Sequence, residues 1–464
     1  MARADSVARY AEWMQSHVGK SPELRIAIYR VIYGSRLYSA SVAIAVILIA
    51  LLMPLIAKAE YLPISLQRLI TLTVNDHPLV RGDVLEVSAS ELDVTAAQRQ
   101  WWPTVSAVME TDSGNVTSGP SRALQVEQTL WDGGKISAGI AHANAGLAKS
   151  EARVIWQRQQ LALQVVAAWQ QLIGARDKLG VAGQTMDRLR TYEAQMRRRV
   201  AADASPSIDL ELVLSRIRQT EVELSSARSA LRAAAQRLEQ LSGVAGLDER
   251  TGDLPLWPNP ETVRQSSVPV VTADLSTYAR DSFAVQVAKG DAQIVAAQLD
   301  AKRAERWPTA YVRLVKPLGN SSGSFSDSQV VDNSPAVFLG VRYTPGAGFA
   351  TGVQADALSA RVASVDQSVE AAYREQREAM TADREDFTSS LERLRALEDA
   401  VAGAQQVLDS YSRQFTAGRK TWIDLLNAVR ELSQNQFAQA ESQAAMTAAL
   451  YRLQLRQGRT QLLP

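Results

Sequence analysis

The strongest constraint on this sequence is that it is written twice. Trp102-Pro103-Thr104 recurs as Trp307-Pro308-Thr309, 205 residues later (307 − 102). Each copy follows a helical pattern, one beginning near Pro78 and the other near Phe283. After each copy come a short strand-like run, a polar loop, a second strand-like run and two long helical patterns. Duplication on this scale defines architecture before any single residue does. The unit is helix, two strands, helix, helix. The two repeats are set at residues 60–243 and 271–460. A proline-rich stretch, 244–270, joins them, and a short tail, 461–464, follows.

Residues 1–59 read as a targeting segment with an extended basic region. Val42 to Met53 is an unbroken apolar run, preceded by Arg25, Arg30 and Arg36. It is short for a bilayer span but suits a signal-peptide core. Ala57-Lys58-Ala59 has the small-x-small form of a cleavage site, so the mature chain is expected to start at Glu60. An uncleaved inner-membrane anchor is the alternative. Removing 1–59 takes away seven Lys/Arg and three Asp/Glu, leaving 43 against 46, or −3. That balance gives no basic excess for nucleic acid. Cysteine is absent, which excludes disulfides, thiol chemistry and a lipid-modified N-terminal Cys. Beyond Glu60 no apolar run reaches the roughly eighteen residues of a membrane helix. If the mature chain crosses a membrane, it must do so as a β-barrel.

The long helical patterns carry heptads. Leu161, Val165, Ala168, Leu172, Ala175, Leu179, Ala182, Met186 and Leu189 alternate steps of four and three. This is a coiled-coil seam. Leu210 to Leu241 continues the rhythm, with Thr220 as its one polar break. Phe387, Leu391, Leu394, Val401, Leu408 and Phe415 form a looser seam, interrupted by Glu398, Gln405 and Ser412. A helix from Ile136 to Val200 would be ~100 Å long at 1.5 Å per residue. The turn at 202–207 is expected to place Ser207 as an N-cap. In the second hairpin Gly418 ends one helix and Thr421 caps the next. Pro255, Pro258, Pro260 and Pro269 keep 243–269 from forming one regular helix.

Four candidate strands follow: 104–111, 123–130, 309–316 and 336–343. Val337, Leu339, Val341 and Tyr343 alternate with Phe338, Gly340 and Arg342. One apolar and one polar face, at about ten residues per strand, is what a lipid-facing barrel wall requires. Polar loops at 112–120 and 317–335 suit the outer ends of hairpins. Trp101, Trp102 and Trp307 stand where helix meets strand, the level of an interfacial aromatic girdle. The alternative is simple core packing. Four strands cannot close a barrel, whose minimum is about eight. The chain must oligomerise if they span a membrane, although the sequence does not fix the number of copies. The fold expected is therefore mostly α with a β-barrel contribution, duplicated and oligomeric.

These residues resemble the TolC-type outer-membrane efflux and secretion channels. Leu130-Trp131-Asp132-Gly133-Gly134-Lys135, entering a helix through Ser150-Glu151-Ala152, is similar to the family's strand-to-helix junction. Tyr411, Phe415, Gly418, Ile423-Asp424-Leu425-Leu426 and Ala428, with Leu453 and Gly458, resemble its second hairpin. Tyr192, Ile208-Asp209-Leu210, Leu238 and Gly243 echo that pattern in the first. The resemblance covers nearly all of 61–460. It implies a homotrimer in the outer membrane, with a twelve-stranded barrel and a long periplasmic helical barrel. A periplasmic adaptor and an inner-membrane pump would open its tip.

By motif position Asp424 would supply a carboxylate ring at the tip constriction, with Asp209 as its first-hairpin counterpart. A second acidic ring in the family falls on Asn427 here, so a double ring is not expected. Phe415 and Lys420 stand where the family has a tyrosine and an arginine in gating contacts. Phe cannot donate a hydroxyl bond, and Lys lacks the arginine fork. A closed state must therefore be held differently. The resemblance implies a passive conduit for type I protein secretion driven by an ABC exporter. The alternative is the outlet of a small-molecule efflux pump driven by protons. A periplasmic coiled-coil adaptor is the competing class, and it would carry a single hairpin.

Enzymatic readings fail on the residues. Gly319-Asn320-Ser321-Ser322-Gly323 fits G-x-S-x-G, but that nucleophile needs a strand-to-helix elbow and a downstream His. The only histidines are His17, His77 and His142, all upstream. Gly133-Gly134-Lys135 is not a phosphate loop, because Thr129 occupies the first glycine position. No cofactor or metal is expected.

Overall fold

The structure, a computed structural model, describes residues 65–110, 121–247, 260–318 and 334–458. The targeting segment, the G-x-S-x-G motif, the C-terminal tail and most of both polar loops lie outside these residues. Among them, helix α1 is Leu66–Asp76 and α2 is Pro78–Gln98. Strands β1 (Thr104–Glu110) and β2 (Ser121–Trp131) follow, then α3 (Lys135–Ala201) and α4 (Ser207–Ser242). Next come α5 (Pro260–Val271), α6 (Leu275–Arg280) and α7 (Phe283–Ala304). Strands β3 (Thr309–Pro317) and β4 (Ala336–Arg342) lead into α8 (Ala350–Thr416) and α9 (Trp422–Arg456). No helix among the described residues is long and apolar enough to cross a membrane.

The four strands form one antiparallel sheet in the order β1-β2-β3-β4, so β2 of the first half pairs with β3 of the second. The register sorts the side chains into two faces. Val105, Ala107, Met109, Leu124, Val126, Val312, Leu314, Val337, Leu339 and Val341 share one face. Leu339 on it is 78% exposed in the single chain. Ser106, Gln125, Glu127, Thr129, Arg313 and Arg342 share the other. Among the described residues, β1 and β4 are the edges of the sheet.

The junction from β2 into α3 shows why the sequence turns there. Asp132 is buried, and its carboxylate accepts the N–H groups of Gly134 and Ile136. It thus caps the first turn of a helix of 67 residues. Gly133 adopts φ +68°, and a Cβ there would lie 2.6 Å from Cβ of Trp307. Only glycine meets both demands.

Helix α3 is the spine. Its heptad residues are buried from Leu161 to Leu189, apart from the half-buried Leu179. Around Leu161 to Ile173 it is covered on several sides, because α1 lays Leu69, Ile70 and Val74 on it as well. Thr220, the break in the α4 seam, is buried with its hydroxyl donating to the Arg216 carbonyl at 3.0 Å. A second core joins α8 and α9 to α5 and α6, through Met380, Phe387, Leu450, Val270 and Leu275.

One local expectation is corrected. Pro206, not Ser207, occupies the N-cap of α4, and Ser207 is its first helical residue. A proline fits this entry because its φ is already extended-compatible and it brings no orphan N–H. Residues 243–247 are not helical, so 243–269 is not one regular helix, while a short helix, α5, runs through Pro269. Val263 and Val270 are buried there, and the Gln457 side chain donates to the Val270 carbonyl at 2.8 Å. Tertiary packing outweighs the local cost of one internal proline.

Candidate functional site

Both hairpin turns lie at the far end of α3 and α8, ~100 Å along each helix from the sheet. In the second turn Gly418 takes φ +71° and α9 starts in a capping box. The Thr421 hydroxyl donates to Asp424 Oδ2 at 2.7 Å, and the Thr421 N–H donates to the same oxygen at 3.2 Å. The Asp424 N–H returns a bond to Thr421 Oγ1 at 3.2 Å. The Thr421 hydroxyl, then its N–H, then the charge of Lys420 hold the Asp424 carboxyl below the usual range. Asp424 therefore keeps its negative charge through neutral and mildly acidic pH, and it does so while capping a helix. Lys420 Nζ stands 3.9 Å from Asp424 Oδ2 and 4.3 Å from the centre of the Tyr411 ring. Asn427 is exposed one turn further along α9.

Phe415 lies between two partners. The Arg199 guanidinium sits 4.9 Å above its ring, and the Trp422 indole is 5.0 Å away. Trp422 is only 4% exposed. Its ring meets Tyr192 edge-on at 5.6 Å, and its N–H donates to the main-chain carbonyl of Asp209 at 3.1 Å. This bond ties the start of α9 to the first turn of α4, and so one hairpin to the other. Asp209 enters it through its backbone rather than its carboxylate. The sequence singled out Phe415, Lys420 and Asp209 but not Trp422, which joins two of them.

Two of the polar breaks in the α8 seam, Gln405 and Ser412, have partners on α3. Arg188 donates to Gln405 Oε1 at 3.4 Å. Tyr192 and Ser412 share a side-chain hydrogen bond. Burial raises the Tyr192 pKa above its ordinary value, against the opposing effect of that bond. Below these contacts Met186, Leu189, Val213, Leu408, Leu425 and Leu432 form one apolar core common to both hairpins.

At the other end, Trp102 is 72% and Trp307 61% exposed, so neither is a core residue of the single chain. Trp131, which the sequence did not assign to this level, meets Trp307 edge-on at 6.3 Å.

Comparison with known proteins bears on this arrangement. Residues 69–244 match a family model described as outer membrane efflux protein. Over these residues the chain is similar to that family. No curated protein sequence matches it. Its fold is similar to CusC, with a TM-score of 0.72 and 15% identity over 84% of this chain and 91% of that one. VceC of Vibrio cholerae gives 0.69 and 16%, over 84% and 95%. The open state of the MtrE channel of Neisseria gonorrhoeae gives 0.66 and 16%, over 85% and 88%. At these identities the structural likeness speaks for the fold. The matched family and VceC are both described as outer-membrane proteins.

Proposed function

We propose that the chain is a passive outer-membrane conduit of a tripartite export system, opened at its periplasmic tip by an adaptor and an inner-membrane pump. The observation that carries this is the two-faced sheet standing on helices ~100 Å long. An apolar exposed face suits acyl chains, and the polar face suits a water-filled lumen. The edges of the sheet at β1 and β4 call for neighbouring copies. Three copies of four strands would close a barrel of twelve in a homotrimer. The exposed Trp102 and Trp307 would then sit in the lipid interface. The two hairpins per chain speak against an adaptor.

Two cargo classes fit such a tube. The family's description as an efflux protein favours a small-molecule outlet. The absence of cysteine for lipidation supports the type I secretion reading. A photoreactive residue at the exposed turn position Arg419 distinguishes them in living cells. Adducts with an adaptor and a proton-driven pump identify an efflux outlet, and adducts with an adaptor and an ABC exporter identify a secretion conduit. Absence of any periplasmic adduct would sink the docking role.

In this reading Asp424 contributes a carboxylate ring at the constriction, beside Asn427, and concentrates cations in a low-dielectric mouth. Asp424→Ala is expected to lower the cation preference of single channels in a salt gradient. An unchanged reversal potential would leave Asp424 as a helix cap alone.

A further inference from the structure

The polar face of the sheet carries a second charged group, at the end nearest the tryptophans. Arg313 Nε and Arg342 Nη2 both donate to one oxygen, Glu127 Oε2, at 3.1 and 3.3 Å. Between them lies the ring of Tyr311, with the two guanidiniums 4.9 and 4.7 Å from its centre. Arg313 Nη2 also donates to the Tyr311 hydroxyl at 3.3 Å. Gly340, opposite Tyr311 in the register, makes room for the ring. A Cβ there would come within 2.6 Å of Cζ and the hydroxyl.

Two arginines share one carboxylate, so the group keeps a net charge of +1. A guanidinium has five N–H donors in a fixed fork, and the bonds to Glu127 and Tyr311 leave several of them unused. Arg342 is the more open of the pair, its side chain 48% exposed. Of Thr104, Ser106, Val108, Ala123, Gln125, Val315 and Phe338, which the register places on the same face, none is charged. The excess is therefore local. Arg313 on β3 and Arg342 on β4 could both reach Glu127 on β2 and tie three strands together without stacking over one aromatic ring. Stacking holds guanidinium planes in a fixed attitude, as oxyanion recognition requires.

We propose that Arg313 and Arg342 form an anion-binding site in the lumen at the base of the barrel, taking carboxylate, phosphate or sulfate groups. The inference rests on the conduit reading above. With three copies in a ring, the lumen would be bipolar. Carboxylates at the tip would favour cations, and guanidiniums at the base of the barrel would favour anions.

The test uses the full-length channel in planar bilayers, with citrate added from the barrel side at constant ionic strength. Citrate is expected to reduce the current of the wild-type channel. Arg342→Gln should weaken that block about tenfold, the loss of one charge-assisted hydrogen-bonding group. Glu127→Gln removes the competing carboxylate and should tighten it. A purely structural cluster would give no citrate block, or the same block in all three proteins, and either result overturns the proposal. If no variant conducts, including the wild type, the conduit reading itself fails. Should Arg342→Gln not assemble, Glu127→Gln still decides by its opposite sign.

Discussion

Channels in which Trp422 is replaced by alanine are expected to be open. The indole is buried where α4, α8 and α9 meet, with Phe415 and Tyr192 against its faces and edge. Removing a buried tryptophan side chain typically costs about 3–5 kcal/mol. Here the loss falls on the one hydrogen bond joining the Asp209 carbonyl to α9. Single-channel conductance of Trp422→Ala should rise well above wild type. Cells carrying it should admit hydrophilic dyes that the outer membrane normally excludes. Trp422→Phe keeps an aromatic ring but loses the N–H donor and part of the indole's buried volume. The lost donor costs about 1 kcal/mol, and the variant should lose less than Trp422→Ala. Its conductance should stay near wild type. Wild-type conductance in the alanine variant would remove Trp422 from any latch. In the conduit reading, the aromatic donor would replace the hydroxyl bond that Phe415 cannot make.

The second large effect is expected midway along the second hairpin. Asp383 on α8 is buried, its side chain 8% exposed. Arg452 Nε reaches its Oδ1 at 2.6 Å and Arg456 Nε its Oδ2 at 2.9 Å, both from α9. Arg452 extends to Asp386 at 3.1 Å and to Gln170 on α3 at 3.3 Å. One carboxylate thus holds two cations against three helices. Asp383→Ala takes Arg456 away from its carboxylate and leaves Arg452 paired with the exposed Asp386, and breaking comparable buried pairs costs about 3–5 kcal/mol. Thermal unfolding in detergent should begin at clearly lower temperature, with earlier proteolysis inside α8. Asp383→Asn, which keeps acceptor geometry on one side, should fall between. A midpoint equal to wild type in Asp383→Ala would mean that water already screens the pair.

Much of this architecture was legible in the sequence because long coiled coils and barrel-like strands both have strict periods. The heptads from Leu161 and from Leu210 mark the buried seams, and the alternation at Val337 to Arg342 marks the two faces of β4. The short helices α1 and α6 were not foreseen. Helix α1 has amphipathic spacing, with Leu66, Leu69, Ile70, Thr73 and Val74 buried, but it is brief, and α6, with six residues, is too short for a pattern. The partners of the tip were hidden for a different reason. Trp422 meets Asp209 across 213 positions, and neither residue type announces the other. The Arg313–Glu127–Arg342 group needs the register of strands from both halves of the chain. Periodicity names faces, while such contacts depend on which residues two distant faces bring level.

That dependence gives a meaning to one plain measurement. The helices α3 and α8 are each 67 residues long. A single-residue deletion in one would withdraw its end by 1.5 Å and rotate everything beyond it by about 100°. The indole at 422 would then no longer find the carbonyl at 209, although no residue near either had changed. Each half of the duplication is thus a ruler for the other. Lineages that lengthen or shorten this tube can do so only by paired edits of equal size, close to whole heptads, made in both halves together.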